Sequence, residues 1–239
     1  MKLNVREHLT TPEKKRLLNK WLFGEIAAEY DRVTPPLSFG RDRAWKRALI
    51  DSLPALNRPH CLDVACGTGD LCELLVAKYP KAEIFGLDLT EAMLNIAHAR
   101  VPGSPVKFRA GDMCGMDFSD GFFDIVIGGY ALRNAPNLRQ ALAEIHRVVK
   151  PGGTAAFMDF SKPPSKIFQT LEHFVLGFWG GIWGLILHGK PEVYGYISAS
   201  LRQFPDSDAF HRLLQDAGFT DLRAHKYFFG IIELVTMRK

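Results

Sequence analysis

Hydrophobic positions near the start of the chain recur at the spacing of an α-helix. Within residues 13–31 one face is apolar, and the other faces carry lysines and glutamates. The apolar face consists of Leu17, Leu18, Trp21, Leu22, Ile26 and Tyr30. This pattern predicts an amphipathic helix that packs either on its own domain or on a membrane surface. Pro35 and Pro36 are expected to end it.

From about residue 60 the pattern changes to short apolar runs that alternate with helical repeats. Helices are predicted up to Tyr79, over 90–100 and over 137–149, and the strands between them are HCLDVA, AEIFGLD, VKFRAGD, FDIVIGG and TAAFMDF. This alternation indicates crossover units on a parallel sheet, so the predicted fold class is α/β. Near the end two apolar runs are separated by Gly230, and so tight a connection requires that they pair antiparallel.

Residues 161–205 follow neither pattern, because they combine prolines, glycines and aromatic residues. We predict that they form a cap insertion over the open edge of the sheet. Their most apolar run, residues 174–187, is shorter than the roughly 20 residues that a helix needs to cross a bilayer, so it is not expected to span one. The chain is thus divided into an N-terminal helical segment, 1–55, on the substrate or membrane side, and a ligand-binding domain, 56–239.

The charge and the cysteines limit the classes of partner. The net charge is +4, and residues 1–50 carry eleven Lys or Arg against six Asp or Glu, an excess of +5. That excess suits an anionic membrane surface but is too dispersed for nucleic acid. The four cysteines have neither CxxC spacing nor a nearby histidine pair, so we expect buried thiols, no metal site and a reducing cytoplasm. The first residues lack the apolar run of a signal peptide.

The stretch CLDVACGTGDLCELL, residues 61–75, predicts a strand, a glycine-rich turn and a helix. In open parallel sheets ligands bind beyond the carboxyl ends of the strands, and the first such turn approaches them closely. Gly67 and Gly69 leave the turn without side chains, and the helix that follows presents free N–H groups to an anionic group. The acid Asp63 precedes the small residues, which is not the dinucleotide fingerprint.

Acidic residues end the next two predicted strands. Asp88 lies nineteen residues beyond Gly69, where a carboxylate accepts hydrogen bonds from both ribose hydroxyls. Asp112 is suited to accept from an adenine amino group while the thioether of Met113 packs on the ring. Together with the terminal hairpin, these residues predict a nucleoside ligand that has no pyrophosphate.

From about residue 22 to its end the chain resembles S-adenosylmethionine-dependent methyltransferases of the seven-stranded type. More narrowly, it resembles the UbiE-type family, which C-methylates the ring of ubiquinone and menaquinone precursors. The motifs that carry the resemblance are YD at 30–31, LSFGRDRAWKR at 37–47, LDVACGTGDL, LRN at 132–134, VVKPGG, DFSKP at 159–163, YGYISASLRQFPD and DAGF at 216–219.

The resemblance implies a Rossmann-like seven-stranded sheet, S-adenosylmethionine as cofactor and a prenylated quinol as acceptor. It implies cofactor contacts from Asp63, Ala65, Gly67, Thr68, Gly69, Asp88, Leu89, Asp112, Met113 and Gly129. It places Arg133 and Asn134 at the reacting ring as catalytic residues, and it places Tyr30, Phe39, Tyr194 and Arg202 on the substrate side. A guanidinium is a poor base, so our hypothesis is that Arg133 stabilises the phenolate while water or a neighbouring acceptor takes the proton.

The chain departs from the family pattern near the acceptor. It has GYALRN where the family usually has SFGLRN, and Ala199 stands at a usual glutamate. Two alternatives therefore stay open, a methyltransferase for another apolar acceptor such as a terpenoid or polyketide, and a non-methylating scaffold or cyclase. Residues 174–187 either form a tail channel, lie in the lipid interface or form a buried cap helix. Peripheral contact with the inner face of the membrane and a homodimer are both compatible with the sequence.

Overall fold

The computed structural model of the protein describes residues 5–163 and 165–239; residues 1–4 of the N-terminal segment and Pro164 of the predicted cap lie outside the described residues. The helices are α1 (Val5–His8), α2 (Pro12–Ile26), α3 (Tyr30–Leu37), α4 (Asp42–Asp51), α5 (Asp70–Lys78), α6 (Glu91–Arg100), α7 (Leu138–Val148), α8 (Lys166–His188), α9 (Glu192–Gln203) and α10 (Ser207–Asp216). The strands are β1 (His60–Val64), β2 (Glu83–Asp88), β3 (Lys107–Ala110), β4 (Phe123–Gly129), β5 (Val149–Phe160), β6 (Thr220–Tyr227) and β7 (Ile232–Arg238).

The strands form one seven-stranded sheet in the order β3-β2-β1-β4-β5-β7-β6. The first five are parallel, β7 lies antiparallel to β5, and β6 pairs antiparallel with β7. This topology confirms the predicted Rossmann-like α/β fold and its terminal hairpin. The hairpin connection is a three-residue 3-10 turn, Phe228–Gly230, whereas the sequence predicted a connection of one glycine.

Apolar side chains cover both faces of the central strands. On one face Leu62 and Val126 pack with α7 and α10, and on the other Ile125 and Ile127 pack with α4 and α5. Burial on both faces is why β1 and β4 are continuous apolar runs rather than alternating ones. All four cysteines are buried as free thiols, as the sequence predicted.

The N-terminal segment differs from its predicted single helix. A 3-10 turn at Ala27–Glu29 separates α2 from α3. Pro35 and Pro36 do not stop the helix but lie in the last turn of α3, which continues to Leu37. The chain then reverses through Phe39, whose φ of 51° lies in the left-handed region.

The cap is a pair of helices, α8 and α9, over the carboxyl ends of β4 and β5. It does not cover a sheet edge as predicted, because the chain leaves β5 at its carboxyl end and α9 packs on the turn that follows β4. Gly180 and Gly184 bring α8 against α9, since a Cβ at either would lie 2.7 or 2.6 Å from a backbone oxygen of the α9 side. The helix that contains the apolar run is longer than the run itself, because α8 has 23 residues and is long and apolar enough, by length and composition alone, to cross a membrane. That this region does not span a bilayer stays a prediction.

Candidate active site

The glycine-rich turn after β1 is held in left-handed backbone conformations. Ala65, Gly67 and Gly69 have φ values of 56°, 53° and 83°. A Cβ on Gly69 would lie 2.9 Å from the Cβ of Ala97 on α6, so this glycine allows the turn to pack on its neighbour. Gly67 faces open space, which leaves its backbone accessible to a ligand.

The carboxylate of Asp88 is fixed at the end of β2. Its Oδ2 accepts from the backbone N–H of Gly67 at 2.9 Å, and its Oδ1 accepts from that of Thr90 at 2.9 Å. Burial raises the pKa of Asp88 above its usual range although both hydrogen bonds favour the ionised form. Each oxygen can accept one more hydrogen bond, so the group is able to bind two adjacent hydroxyls.

A first cavity of about 630 Å³ opens beside this carboxylate, at the carboxyl ends of β1, β2 and β4. Seven of the ten predicted cofactor residues line it: Ala65, Gly67, Asp88, Leu89, Asp112, Met113 and Gly129. Residues that sequence reasoning missed complete the wall, among them Asn19, Phe23, Thr90 and Met93.

The other three predicted cofactor residues do not line the first cavity. Asp63 is fully buried in β1, where the thiol of Cys72 donates to it at 3.4 Å and burial raises its pKa well above its usual range. Thr68 donates its hydroxyl to Asp31 at 2.7 Å. Gly69 serves packing, as described above. Asp63, Thr68 and Gly69 therefore support the glycine-rich turn without lining the first cavity.

Asp112 lies on the cavity wall, but its oxygens already have partners. Oδ1 accepts from the backbone N–H of Cys114 at 2.9 Å, and Oδ2 lies 3.1 Å from Nε of Arg16 on α2. Arg16 is largely exposed, so this ion pair is weak. A ligand amino group would therefore compete with a solvent-exposed partner for Oδ2.

A second cavity, of about 620 Å³, adjoins the first and shares four wall residues with it, namely Phe23, Tyr30, Tyr130 and Asn134. Its wall is mostly apolar and is built from α2, α3, α9 and the 3-10 turn Leu132–Asn134. The structure brings together here the predicted residues Tyr30, Arg133, Asn134 and Tyr194.

Arg133 is the positive charge of the second cavity, and it is only 4% exposed. Its Nε lies 3.3 Å from Oδ1 of Asp159, its backbone N–H donates to Oδ2 of the same residue at 2.9 Å, and its Nη1 donates to the hydroxyl of Ser200. The rings of Phe160 and Tyr196 lie 5.4 and 6.0 Å from the guanidinium carbon. Burial raises the pKa of Asp159 even beside this partner.

Asn134 belongs to a buried network that sequence reasoning missed. The hydroxyl of Tyr196 lies 2.8 Å from Oδ1 of Asn19 and 3.1 Å from Oδ1 of Asn134. Asn19 also donates its amide to the carbonyl of Asn134 at 2.6 Å, and Asn134 donates to the carbonyl of Tyr130 at 2.8 Å. The signal that was available is that Asn19 lies between Leu18 and Leu22 on the buried side of its helix.

With this geometry in place, comparison with known proteins identifies the family. The model of the ubiE/COQ5 methyltransferase family matches residues 10–239. The chain belongs to the ubiE/COQ5 methyltransferase family. It is therefore an enzyme that transfers methyl groups, and the resemblance stated from its motifs is confirmed.

Curated relatives cover most of the methyltransferase. It is 34% identical over 214 residues to a demethylmenaquinone methyltransferase of Geobacillus kaustophilus, covering 88% of this chain and 92% of the relative. It is 30% identical over 211 residues to a ubiquinone/menaquinone biosynthesis C-methyltransferase UbiE of Desulfotalea psychrophila, covering 88% and 86%. A solved SAM-dependent methyltransferase of Thermotoga maritima has the same fold, with a TM-score of 0.68, 18% identity and coverage of 92% and 99%.

A buried lysine of the methyltransferase, also missed, lies beside the two cavities. Lys46 is 2.8 Å from Oδ2 of Asp42, pairs with Asp70 at the start of α5, and lies 5.7 Å from the ring centroid of Tyr130. Burial raises the pKa of Tyr30 to about 12 and raises that of Tyr130 well above its usual value. Both phenols at the shared wall therefore keep their protons at neutral pH.

Two predicted substrate residues of the methyltransferase lie outside both cavities. Phe39 is 54% exposed and stacks on Trp179 with ring centroids 6.1 Å apart. Arg202 is exposed and lines a separate open groove with His173. The reversal of the chain after α3 turns Phe39 outward, and Arg202 lies on the outer side of α9.

Proposed function

We propose that this methyltransferase transfers a methyl group from S-adenosylmethionine to a ring carbon of a prenylated quinol. One observation carries the proposal: a cavity with a carboxylate poised for two hydroxyls shares a wall with an apolar cavity that holds a buried guanidinium. The names of the relatives support the acceptor class, since they act in menaquinone and ubiquinone biosynthesis.

The first cavity fits the cofactor. When bound, S-adenosylmethionine supplies a sulfonium methyl group that a nucleophilic carbon attacks in line. Asp88 would accept from the two ribose hydroxyls, and Leu89 and Met113 would pack on the adenine. The open backbone at Gly67 would allow close approach of the amino acid end. Asp112 would accept from the adenine amino group in place of Arg16.

In the second cavity Arg133 would make the acceptor reactive. A ring carbon attacks well only after its neighbouring hydroxyl ionises, and a phenol has a pKa of about 10. A buried guanidinium lowers that pKa by stabilising the phenolate, and Arg133 is held in place by Asp159 and Ser200. Asn134 would orient the ring hydroxyl, and Tyr30 and Tyr194 would flank the ring.

Water is the proposed acceptor of the hydroxyl proton. The carboxylate of Asp159 already accepts from Arg133 and from the backbone N–H of Phe160. Burial beside Arg133 lowers the pKa of Lys15 to about 8, but the Lys15 ammonium donates to the carbonyl of Arg133 and lines neither cavity. After methyl transfer the ring carbon loses its proton to solvent, which restores the aromatic quinol.

Peripheral attachment to the inner face of the membrane is part of the proposal, with the enzyme otherwise in the cytoplasm. Ile167, Phe174 and Phe178 of α8 are exposed, and so is Lys166, which precedes Ile167 at the start of the helix. An apolar helix face with a basic neighbour suits an anionic lipid surface. In co-sedimentation with anionic vesicles, Phe174→Ser combined with Phe178→Ser should weaken binding, whereas Leu17→Ser on α2 should not.

A transfer assay tests the function. The enzyme is incubated with labelled S-adenosylmethionine and a lipid extract from a strain that cannot methylate quinones. A labelled quinone supports the proposal. Another labelled lipid supports a terpenoid or polyketide acceptor, and binding without transfer supports the scaffold alternative.

A further inference from the structure

An apolar groove of about 1650 Å³ lies on the far side of the second cavity from the cofactor site. It runs between the end of α3, the first half of α8 and the turn Phe228–Gly230. Leu37, Ser38 and Phe160 line both the groove and the second cavity, so the two spaces share a wall. The groove is much larger than a quinol ring requires.

Three phenylalanines mark the outer mouth of this groove. Phe39, Phe228 and Phe229 all have left-handed φ values, of 51°, 51° and 59°, which are disfavoured for bulky side chains. Phe39 is 54% and Phe229 is 91% exposed, so core packing does not explain the conformation of these two, whereas Phe228 packs partly against the core. Strain of this kind concentrates where the chain contacts a ligand or partner.

Among the described residues, the inner wall carries one ionisable group, Glu172, which is 3% exposed and has no hydrogen-bond partner there for either carboxylate oxygen. Burial raises its pKa to about 8, so the group is neutral at pH 7. The rest of the wall comes mainly from aliphatic and aromatic side chains, including Phe168, Leu171 and Val175. Apart from this one neutral carboxyl group the wall is mostly apolar, which suits a hydrocarbon chain better than a polar ligand.

We propose that the apolar groove binds the isoprenoid tail of the acceptor, which leaves the protein between Phe39 and Phe229. This inference rests on the proposed function, which supplies an acceptor with such a tail. The shared wall is the reason for choosing the isoprenoid tail as the ligand of the groove. A chain attached to a ring in the second cavity would reach the groove past Leu37 and Phe160. A lipid acyl chain would fit the same wall but has no reason to meet the acceptor cavity.

The test compares two demethylated quinols with the same ring, one with a long isoprenoid tail and one with a single isoprene unit, both in detergent micelles. In Leu171→Trp, an indole fills the groove beneath the tail. Because remote binding energy contributes to kcat/KM, we expect a loss of roughly tenfold or more on the long substrate and little change on the short one. Leu185→Trp, an equally exposed position of α8 outside the groove, is the matched control and should change neither.

Val175→Trp provides a second obstruction in case Leu171→Trp folds poorly, and a long isoprenoid alcohol gives a binding readout. The alcohol should inhibit wild type competitively with the long quinol and should lose this effect in either variant. Equal losses on both quinols, or no loss on the long one, would overturn the proposal. Weaker vesicle binding with unchanged discrimination between the quinols would assign the groove to membrane lipid. If wild type methylates neither quinol although it binds S-adenosylmethionine, the proposed function itself fails.

Discussion

The sheet and the cap satisfy their polar groups differently. At the sheet, the carboxylate of Asp88 accepts two backbone N–H groups and most residues of β1, β2 and β4 are buried, although Oδ1 of Asp63 in β1 has no partner in the described part of the chain. On α8, by contrast, large apolar side chains are exposed, while Glu172, His173 and Trp183 contain buried polar atoms without partners in the described chain. The sheet is thus organised in advance for one polar ligand, whereas the cap suits apolar surroundings.

In the proposed reaction the strand ends of the sheet therefore bind the methyl donor, and the cap binds the acceptor. A donor shared by many enzymes requires fixed hydrogen bonds, which backbone groups at strand ends supply. An apolar acceptor offers few hydrogen bonds, so its recognition depends on shape and on a single buried charge. Substitutions at the sheet should change cofactor affinity, and those at the cap should change acceptor use.

The largest expected effect is at Arg133, where the two regions meet. Arg133→Ala should lower kcat by roughly a hundredfold to a thousandfold, because the phenolate loses its charge partner. Activity should recover in part at high pH, where the quinol ionises unaided, and Arg133→Lys should keep more of it. The measurement is a pH–rate profile, with calorimetry of cofactor binding as the control. A loss that does not diminish at high pH would refute phenolate stabilisation.

On the sheet side, Asp88→Ala should raise the Kd for S-adenosylmethionine by at least roughly tenfold to a hundredfold, since losing even one hydrogen bond to a charged group costs about 1.5–3 kcal/mol. The same change releases the Gly67 N–H, which further loosens the turn. Asp120→Ala, at an exposed carboxylate paired with Arg147, is the control. An unchanged Kd in Asp88→Ala would remove this residue from the cofactor site.

On the cap side, Tyr196→Phe should lower kcat by about fivefold without changing the Kd for S-adenosylmethionine, because one hydroxyl links Asn19 and Asn134 and is worth about 1 kcal/mol. A change in cofactor affinity as large as that in kcat would show that the network supports the first cavity instead. Steady-state kinetics and calorimetry on the same preparation distinguish the two results.

The smallest effect concerns stability. The ordinary pKa of Glu172 is 4.5, and its pKa in the folded protein is about 8. Between these values the folded state holds more protons than the unfolded state, so the contribution of this group to stability falls as pH rises. Glu172→Gln should therefore raise Tm more at pH 9 than at pH 5. Asp117→Asn, at an exposed position, is the control, and a gain that does not depend on pH would contradict the assignment.

Local patterns predicted the sheet side far better than the cap side. The alternation of strands and helices, the glycine turn and Asp88 all depend on neighbours in sequence, and the resemblance added Arg133. Asn19 contacts Asn134 across 115 positions and Tyr196 across 177, and no local pattern encodes such pairs.

The cap was predicted wrongly for a related reason. Its composition indicated an insertion, but its position depends on where β5 ends and on what α9 contacts. The length of the apolar helix was underestimated, because the apolar run was counted from residue 174 whereas α8 begins at Lys166. Phe39 was predicted on the substrate side from its motif; it lines neither the first nor the second cavity but lies at the apolar groove, and the backbone reversal that places it there is not revealed by spacing.

The glycine contacts between α8 and α9 explain where the large side chains of α8 lie. At Gly180 and Gly184, which lie against the neighbouring backbone, there is no room for even a methyl group. The phenylalanines of the helix must therefore occupy its outer side. Substitutions that make this enzyme more soluble are therefore restricted to the outer side of α8. An alanine at Gly180 or Gly184 would force α8 and α9 apart.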